Sequence, residues 1–306
     1  MDSNLTDLGY VEETVFGTTP SAALQVLRRT GGSLRPSMGV TRSSEIRSDL
    51  RAGPPIRTSQ AVSGQVNVEW SYGTLDDLLE GMCMSDWTTN VLEDGTTKKS
   101  YTFEEQFTDP DISPSQYLIF KGCRMQSINL SLAVDSIVTG SFGVMGTTPS
   151  IAQASAGTGN TAPTTTEPFN CVDMVTVLRE ESATLSKVVG VDLRLERSLR
   201  AKREIGSLNA FGIGVGRLLV TGSIQQYFEN DALMDAWFAF DERSFETQLT
   251  DTAGNDLLIH VPRLKYVGDP EVANPGVDSD RMVRVNFEGF ADADDDALIR
   301  FTRTPA

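Results

Sequence analysis

The sequence predicts a mainly β fold in which one β-rich unit occurs twice, and three observations carry that reading. Runs such as Gly64-Gln65-Val66-Asn67-Val68-Glu69-Trp70-Ser71-Tyr72 and Ile128-Asn129-Leu130-Ser131-Leu132-Ala133-Val134 alternate apolar and polar side chains, the period of a strand with one face buried. Residues 152–168 form a tract rich in Ala, Ser, Thr, Gly and Pro. Such a tract buries too little apolar area to offset the entropy of ordering it, so an extended or partly mobile connector is expected. On either side of it, similar segments follow one another in the same order, a stronger sign of duplication than alternation alone.

In the first half, Gly39-Val40 leads into a long charged segment, Arg42 to Ser63, and then into the strand from Gly64. Asp76-Asp77-Leu78-Leu79-Glu80-Gly81-Met82 follows as a short helical pattern, with Tyr101-Thr102-Phe103 and Val138-Thr139-Gly140-Ser141-Phe142 beyond it. In the second half, Gly190-Val191 leads into the charged segment Arg194 to Gly214, and Gly216 to Ile224 repeats the strand. Asp231-Ala232-Leu233-Met234-Asp235-Ala236-Trp237 repeats the helix, Phe245-Glu246-Thr247 stands against Tyr101 to Phe103, and Val283-Arg284-Val285-Asn286-Phe287 against Val138 to Phe142. The expected organisation is one domain over 1–150, a linker over 151–168 and a second domain over 169–306, mainly antiparallel with little helix.

Composition narrows the function. At 306 residues, 39% hydrophobic and 22% charged, the chain has enough apolar material for one large or two ordinary cores, which excludes wholesale disorder. No apolar run approaches the roughly 20 residues of a membrane-spanning helix. Met1-Asp2-Ser3-Asn4 lacks the basic start and apolar stretch of a secretory signal, so a cytoplasmic beginning is expected. Cys83, Cys123 and Cys171 are widely spaced and outside any Cys-x-x-Cys pattern, which points to buried free thiols rather than disulfides or zinc. A formal charge of −16 argues against a clamp on phosphate, although an acidic surface lets a polyanion slide past.

No catalytic, cofactor or metal residues are assigned, and the protein is expected not to be an enzyme. The single histidine, His260, lies in an apolar run and excludes any multi-histidine metal site or His-based triad within one chain. Gly212-Ile213-Gly214-Val215-Gly216 leads into a strand rather than a helix and misplaces the third glycine of a dinucleotide turn, so a bulge or close backbone approach is the expected role. Asp292-Ala293-Asp294-Asp295-Asp296 has carboxylates suited to a hard cation but lacks the glycine turn and distal glutamate of a calcium loop, and reads as a solvated acidic loop. Asn4-Leu5-Thr6 and Asn129-Leu130-Ser131 match glycosylation acceptors, which matter only in a secreted chain. The spacing of the acidic residues does not suggest a glycosidase pair.

Tyr10-Val11-Glu12-Glu13-Thr14-Val15-Phe16-Gly17-Thr18-Thr19-Pro20 and Leu27-Arg28-Arg29-Thr30-Gly31 resemble the opening of tail tube proteins (major tail proteins) from bacteriophages with long, non-contractile tails. Ser43-Ser44-Glu45-Ile46-Arg47-Ser48-Asp49-Leu50-Arg51, the strand from Gly64, and Ser71-Tyr72-Gly73-Thr74-Leu75-Asp76-Asp77-Leu78-Leu79-Glu80 extend the resemblance over the first third of the chain. The resemblance implies a β-sandwich or partial barrel with a flanking helix, whose inner strands join a β-barrel shared by the whole ring. Six such domains make one ring, so two per chain imply a homotrimeric ring with pseudo-sixfold symmetry. It further implies stacking of rings into a tube, a tape-measure protein and later double-stranded DNA in the lumen, and tail terminator and distal tail proteins at the ends. The location implied is the tail of the virion, after assembly in the bacterial host cytoplasm, and the acidic excess fits the electronegative lumen of the family. An N-terminal arm is expected over 1–32 and an inter-ring loop over about 42–63. Arg47, Asp49, Arg51 and Arg57 there, and Arg197, Arg200, Arg203 and Glu204 in the second charged segment, are the expected inter-ring or inter-subunit contacts, since mixed charge suits a complementary rim. The alternative is one tube domain followed by an exterior immunoglobulin-like or carbohydrate-binding domain in a six-chain ring. Other roles on the same fold, such as a terminator or baseplate ring, differ in what they assemble with.

Overall fold

A computed structural model describes residues 5–49, 51–111, 113–181, 183–228, 232–273, 276–291 and 297–306. The first half contains β1 (Thr6–Glu12), β2 (Leu24–Val26), β3 (Gly31–Arg42), β4 (Pro55–Glu69), helix α1 (Asp76–Cys83), β5 (Val91–Glu93), β6 (Tyr101–Phe107), β7 (Gln116–Ala133), β8 (Thr139–Gly146), β9 (Thr148–Ala152) and β10 (Asn160–Thr161). The second half contains β11 (Val175–Glu180), β12 (Ala183–Thr184), β13 (Val188–Lys202), β14 (Gly212–Tyr227), helix α2 (Ala232–Ala239), β15 (Arg243–Thr250), β16 (Asp256–Ala273), β17 (Met282–Gly289) and β18 (Arg300–Thr304). The fold is therefore mainly β, with an open rather than closed sheet.

Strand pairing repeats between the halves. β1 pairs with β2 and β6, β3 with β4, β4 with β8, and β7 with β6, β8 and β9. Correspondingly, β11 pairs with β12 and β15, β13 with β14, β14 with β17, and β16 with β15, β17 and β18, every one antiparallel. The halves are joined where β7 pairs with β13 and where β18 pairs with β5. One eight-strand sheet results, in the order β3-β4-β8-β7-β13-β14-β17-β16.

One face of this sheet carries the core. Val66, Val68, Ile128, Leu130, Phe142, Leu193, Leu195, Val220, Val285 and Phe287 are buried in one apolar cluster drawn from both halves. Phe142 stacks on Phe103 at 6.2 Å and Phe287 meets Phe245 at 5.7 Å, so the two aromatic pairs mark equivalent places. Phe142 lies opposite Val66 and Phe287 opposite Gly222, and each of those residues stands ten positions before its helix. The sequence alignment of Val138–Phe142 with Val283–Phe287 agrees with this register. Two other alignments do not: strand pairing sets Gly64 against Val220, not Gly216, and Phe245 against Phe103, not Tyr101. Alternation has a period of 2, so it is blind to slips by an even number of residues. Gly222 is glycine because a Cβ there would come within 2.2 Å of the Phe287 ring.

Helix α1 begins with Asp76 and Asp77, whose charges suit the positive end of the helix dipole, and ends at Met84 in the left-handed conformation at φ 58°. The N–H of Met84 closes the last turn on the Glu80 carbonyl at 2.7 Å. Helix α2 begins at Ala232, and Asp231 of the expected helix lies outside the described residues. Glycine and proline keep the connector 151–168 extended, but it is fastened along its length. Glu104 accepts bonds from the Ser155 hydroxyl at 2.7 Å and the Ala156 N–H at 2.6 Å, Thr166 donates to the Tyr72 carbonyl at 2.9 Å, and β9 and β10 lie within or beside it. The expected N-terminal arm 1–32 is largely body: β1 pairs along its whole length with β6.

Candidate assembly surfaces

The two charged segments expected to be loops are only in part loop, with strand at their ends. Residues 55–63 belong to β4, and Arg197 and Arg200 to β13; the connections proper are 43–54 and 203–211. Each lies at the end of a long hairpin, β3–β4 and β13–β14, paired out to Arg42↔Pro55 and Lys202↔Gly212. The hairpins touch, with the Gln60 N–H donating to the Leu208 carbonyl at 3.0 Å and Arg203 reaching the same carbonyl at 3.3 Å.

At the first tip, Arg47 and Asp49 spend their charges on each other through two bonds of 3.1 Å, and Asp49 also accepts the Arg51 N–H at 3.2 Å. The Arg47 guanidinium thereby holds the Asp49 carboxyl below its ordinary range. Arg51, Arg57, Arg200 and Glu204 are exposed on the arms or tips. Arg197 departs from the expected role as an external contact: it is buried, its Nε donating to the Met82 carbonyl at 2.6 Å and its Nη2 to the Cys83 carbonyl at 2.9 Å. These are last-turn carbonyls of α1 that no helical N–H reaches, so a guanidinium from the second half caps a helix of the first.

Charge drew attention away from apolar side chains on the same hairpins. Met38, Val40 and Ile56 are exposed on the first and Phe211 on the second, while Ile46 and Ile205 at the tips stand free in solvent. In an isolated chain they contribute nothing to a core, and clustering at two neighbouring tips marks a contact surface. Their legible signal was the presence of β-branched and aromatic residues inside segments otherwise rich in Arg and Ser.

The second kind of surface is an unpaired strand edge. Among the described residues β3 pairs only with β4, and β16 beyond Leu264 pairs only with β17. Such edges present rows of free backbone donors and acceptors and promote association. The groups considered for chemistry are quiet. Burial lowers the His260 pKa, keeping it neutral at neutral pH, and pushes the Cys83 thiol up to about 12, where it stays protonated. Asp292 to Asp296 lie outside the described residues, which contain no group of carboxylate, histidine and cysteine side chains placed to hold a metal. No helix among them is long and apolar enough to cross a membrane.

An open sheet with apolar hairpin tips and unpaired edges at both ends is the mark of a structural β-protein with surfaces suited to association. The family model for the phage tail tube protein matches residues 3–289, and the chain belongs to that family. It is thus a structural subunit of a phage tail tube and a component of the virion tail. None of the curated proteins matches the sequence.

Proposed function

We propose that the chain carries two tube domains, 1–150 and 169–306, and that three copies close a ring with pseudo-sixfold symmetry. Stacked rings then form the conduit for a tape-measure protein and for double-stranded DNA. The observation that carries this reading is the β7–β13 seam, in which Ser127 to Ala133 pair with Gly190 to Glu196. By the repeat of pairings, β7 corresponds to β16 and β13 to β3. The seam inside one chain therefore joins the same two kinds of edge that remain open at its ends. Pairing β16 of one chain with β3 of the next repeats a contact the fold already makes and closes the circle without leaving an edge.

Helix burial supports the same closure. Met82 and Met84 of the first half are 0% and 7% exposed, partly because Arg197 and its strand lie against the end of α1. Their counterparts near the end of α2, Phe238 and Phe240, are 71% and 55% exposed. In the ring, β3 of the next chain takes the place that β13 takes beside α1.

Carrying the register of the internal seam across places Val267 opposite Ser33 of the next chain. Val267→Cys combined with Ser33→Cys is expected to give disulfide-linked species ending at a closed trimer on a non-reducing gel of assembled tubes. Ladders running to six chains would support the single-domain, six-chain alternative, and absence of any cross-link would reject the seam.

A further inference from the structure

Beside its strand seam, the joint within the chain is fastened by charge. Arg197 of β13 forks onto the last-turn carbonyls of α1. Beyond that helix, the segment 84–100 carries β5 to β18, where Phe301 pairs with Leu92 and Arg300 is 2.5 Å from Glu93. Arg303 bonds to Asp76, and its guanidinium lies 4.0 Å from the centre of the Trp87 ring.

At the ends of the chain the equivalent positions carry different residues. Leu34 pairs with Gly64 as Leu195 pairs with Val220, so two residues further on Pro36 stands in the place of Arg197. Proline has no N–H and no side-chain donor to offer a helix end. The segment after α2 is 240–242, too short to carry a strand like β5. Phe120 and Val261 pair with Phe103 and Phe245 and are equivalent, and two residues before them Leu118 and Ile259 pair with Ile151 and Phe301. Phe301 is 1% exposed, whereas Ile151 is 69% exposed.

Bulk is also reversed. Met82 and Cys83 are buried, and the strand reaches the end of α1 with a long arginine. At the end of α2, Phe238 and Phe240 stand out from the subunit, and the strand residue to come against them is a short proline. Both helices end on a left-handed residue, Met84 at φ 58° and Phe240 at φ 54°. Lys265 lies 4.6 Å from the centre of the Phe240 ring and supports it from one side. Trp237 fastens α2 to the edge strand β16 by donating to the Gly268 carbonyl at 2.8 Å. On β3, Met38 lies on the same side as Pro36 and is exposed.

We propose that Phe238 and Phe240 of one chain dock on Pro36, Met38 and Ile151 of a second copy, an apolar latch that closes each joint between chains. This rests on the ring reading above and adds to it the chemistry of the contact. A second copy is the occupant because β16, paired with β3 in the register of the internal seam, brings Pro36 to the end of α2 as β13 brings Arg197 to the end of α1. The difference in chemistry follows from how each joint forms. Ion pairs within a chain assemble as it folds, whereas chains meeting in solution gain most from aromatic anchors that leave water.

The test assembles the full chain and follows ring mass against protein concentration. Phe238→Asp with Phe240→Asp is expected to raise the concentration needed for rings roughly thirtyfold, the scale of one aromatic anchor, while the unfolding transition of the unassembled chain stays in place. Adding Met38→Lys should recover part of the loss. Rings at the ordinary concentration would overturn the latch, as would trimers that close but no longer stack, which would place the two rings of Phe238 and Phe240 between layers. Direct contact is read in a Cys171→Ser background, with Phe238→Cys and Met38→Cys joined by a short bismaleimide. Linked species ending at the closed trimer are expected. If the Val267→Cys, Ser33→Cys pair links and this pair does not, the ring stands and the latch fails. If neither links, the ring reading fails and the latch with it.

Discussion

Arg197 shows how a single residue ties the halves together. Its fork covers the Met82 carbonyl and shares the Cys83 carbonyl with the Gly95 N–H, which donates at 2.8 Å, and a buried polar group left unsatisfied costs about 1–3 kcal/mol. Burial also lowers the Arg197 pKa, but it starts so high that the charge is kept at neutral pH. Arg197→Met, which keeps the length and loses the donors, is expected to lower unfolding stability by about 1–3 kcal/mol in a denaturant titration. Arg197→Lys should recover only part of the loss, because an ammonium does not reproduce a planar two-point fork. A change below about 0.5 kcal/mol for the methionine variant, the range of ordinary surface substitutions, would mean that the cap carries no weight.

At the scale of elements, the two long hairpins are the parts least supported by the chain itself. Ile46 and Ile205 make no core contact in the isolated subunit, so a carboxylate there should leave the fold intact. The double variant Ile46→Asp, Ile205→Asp is expected to keep the stability of the subunit and the closure of single rings while shortening or abolishing tubes. Negative-stain microscopy with mass measurement of single rings reads both outcomes. Tubes of ordinary length would show that the tips do not bear on the next ring, and loss of rings would place them in the ring interface instead. Arg47 and Asp49, already paired with each other, are expected to matter less to stacking than the apolar tips, because an exposed ion pair contributes only about 0–1 kcal/mol.

For the molecule as a whole, the sheet and its core run through both halves, and the β7–β13 and β18–β5 pairings fasten them. Two halves sharing one core and one sheet unfold together when the junction is as well packed as the halves themselves. Calorimetry of the unassembled chain is therefore expected to show a single transition whose van't Hoff and calorimetric enthalpies agree. Two resolved transitions would mean that the halves are only loosely tethered, and the internal seam would then be a poor template for the seam between chains.

Sequence alone determined the β class, the like order of segments in the two halves and the place of both helices, because alternation, a short helical pattern and a glycine- and proline-rich connector are local properties of the chain. It also determined that Cys83 and Cys123 are buried free thiols, whereas Cys171, expected to be the same, is free but only half-buried. Tertiary structure alone decided the register of the repeat, which depends on which aromatic rings meet across strands and not on periodicity. It decided that Arg197 caps a helix more than a hundred residues away, and that charged segments are hairpin arms whose apolar members stand free. The physical reason is that strand pairing sets both which distant residues meet and which side of a sheet a side chain faces, and composition carries no memory of either.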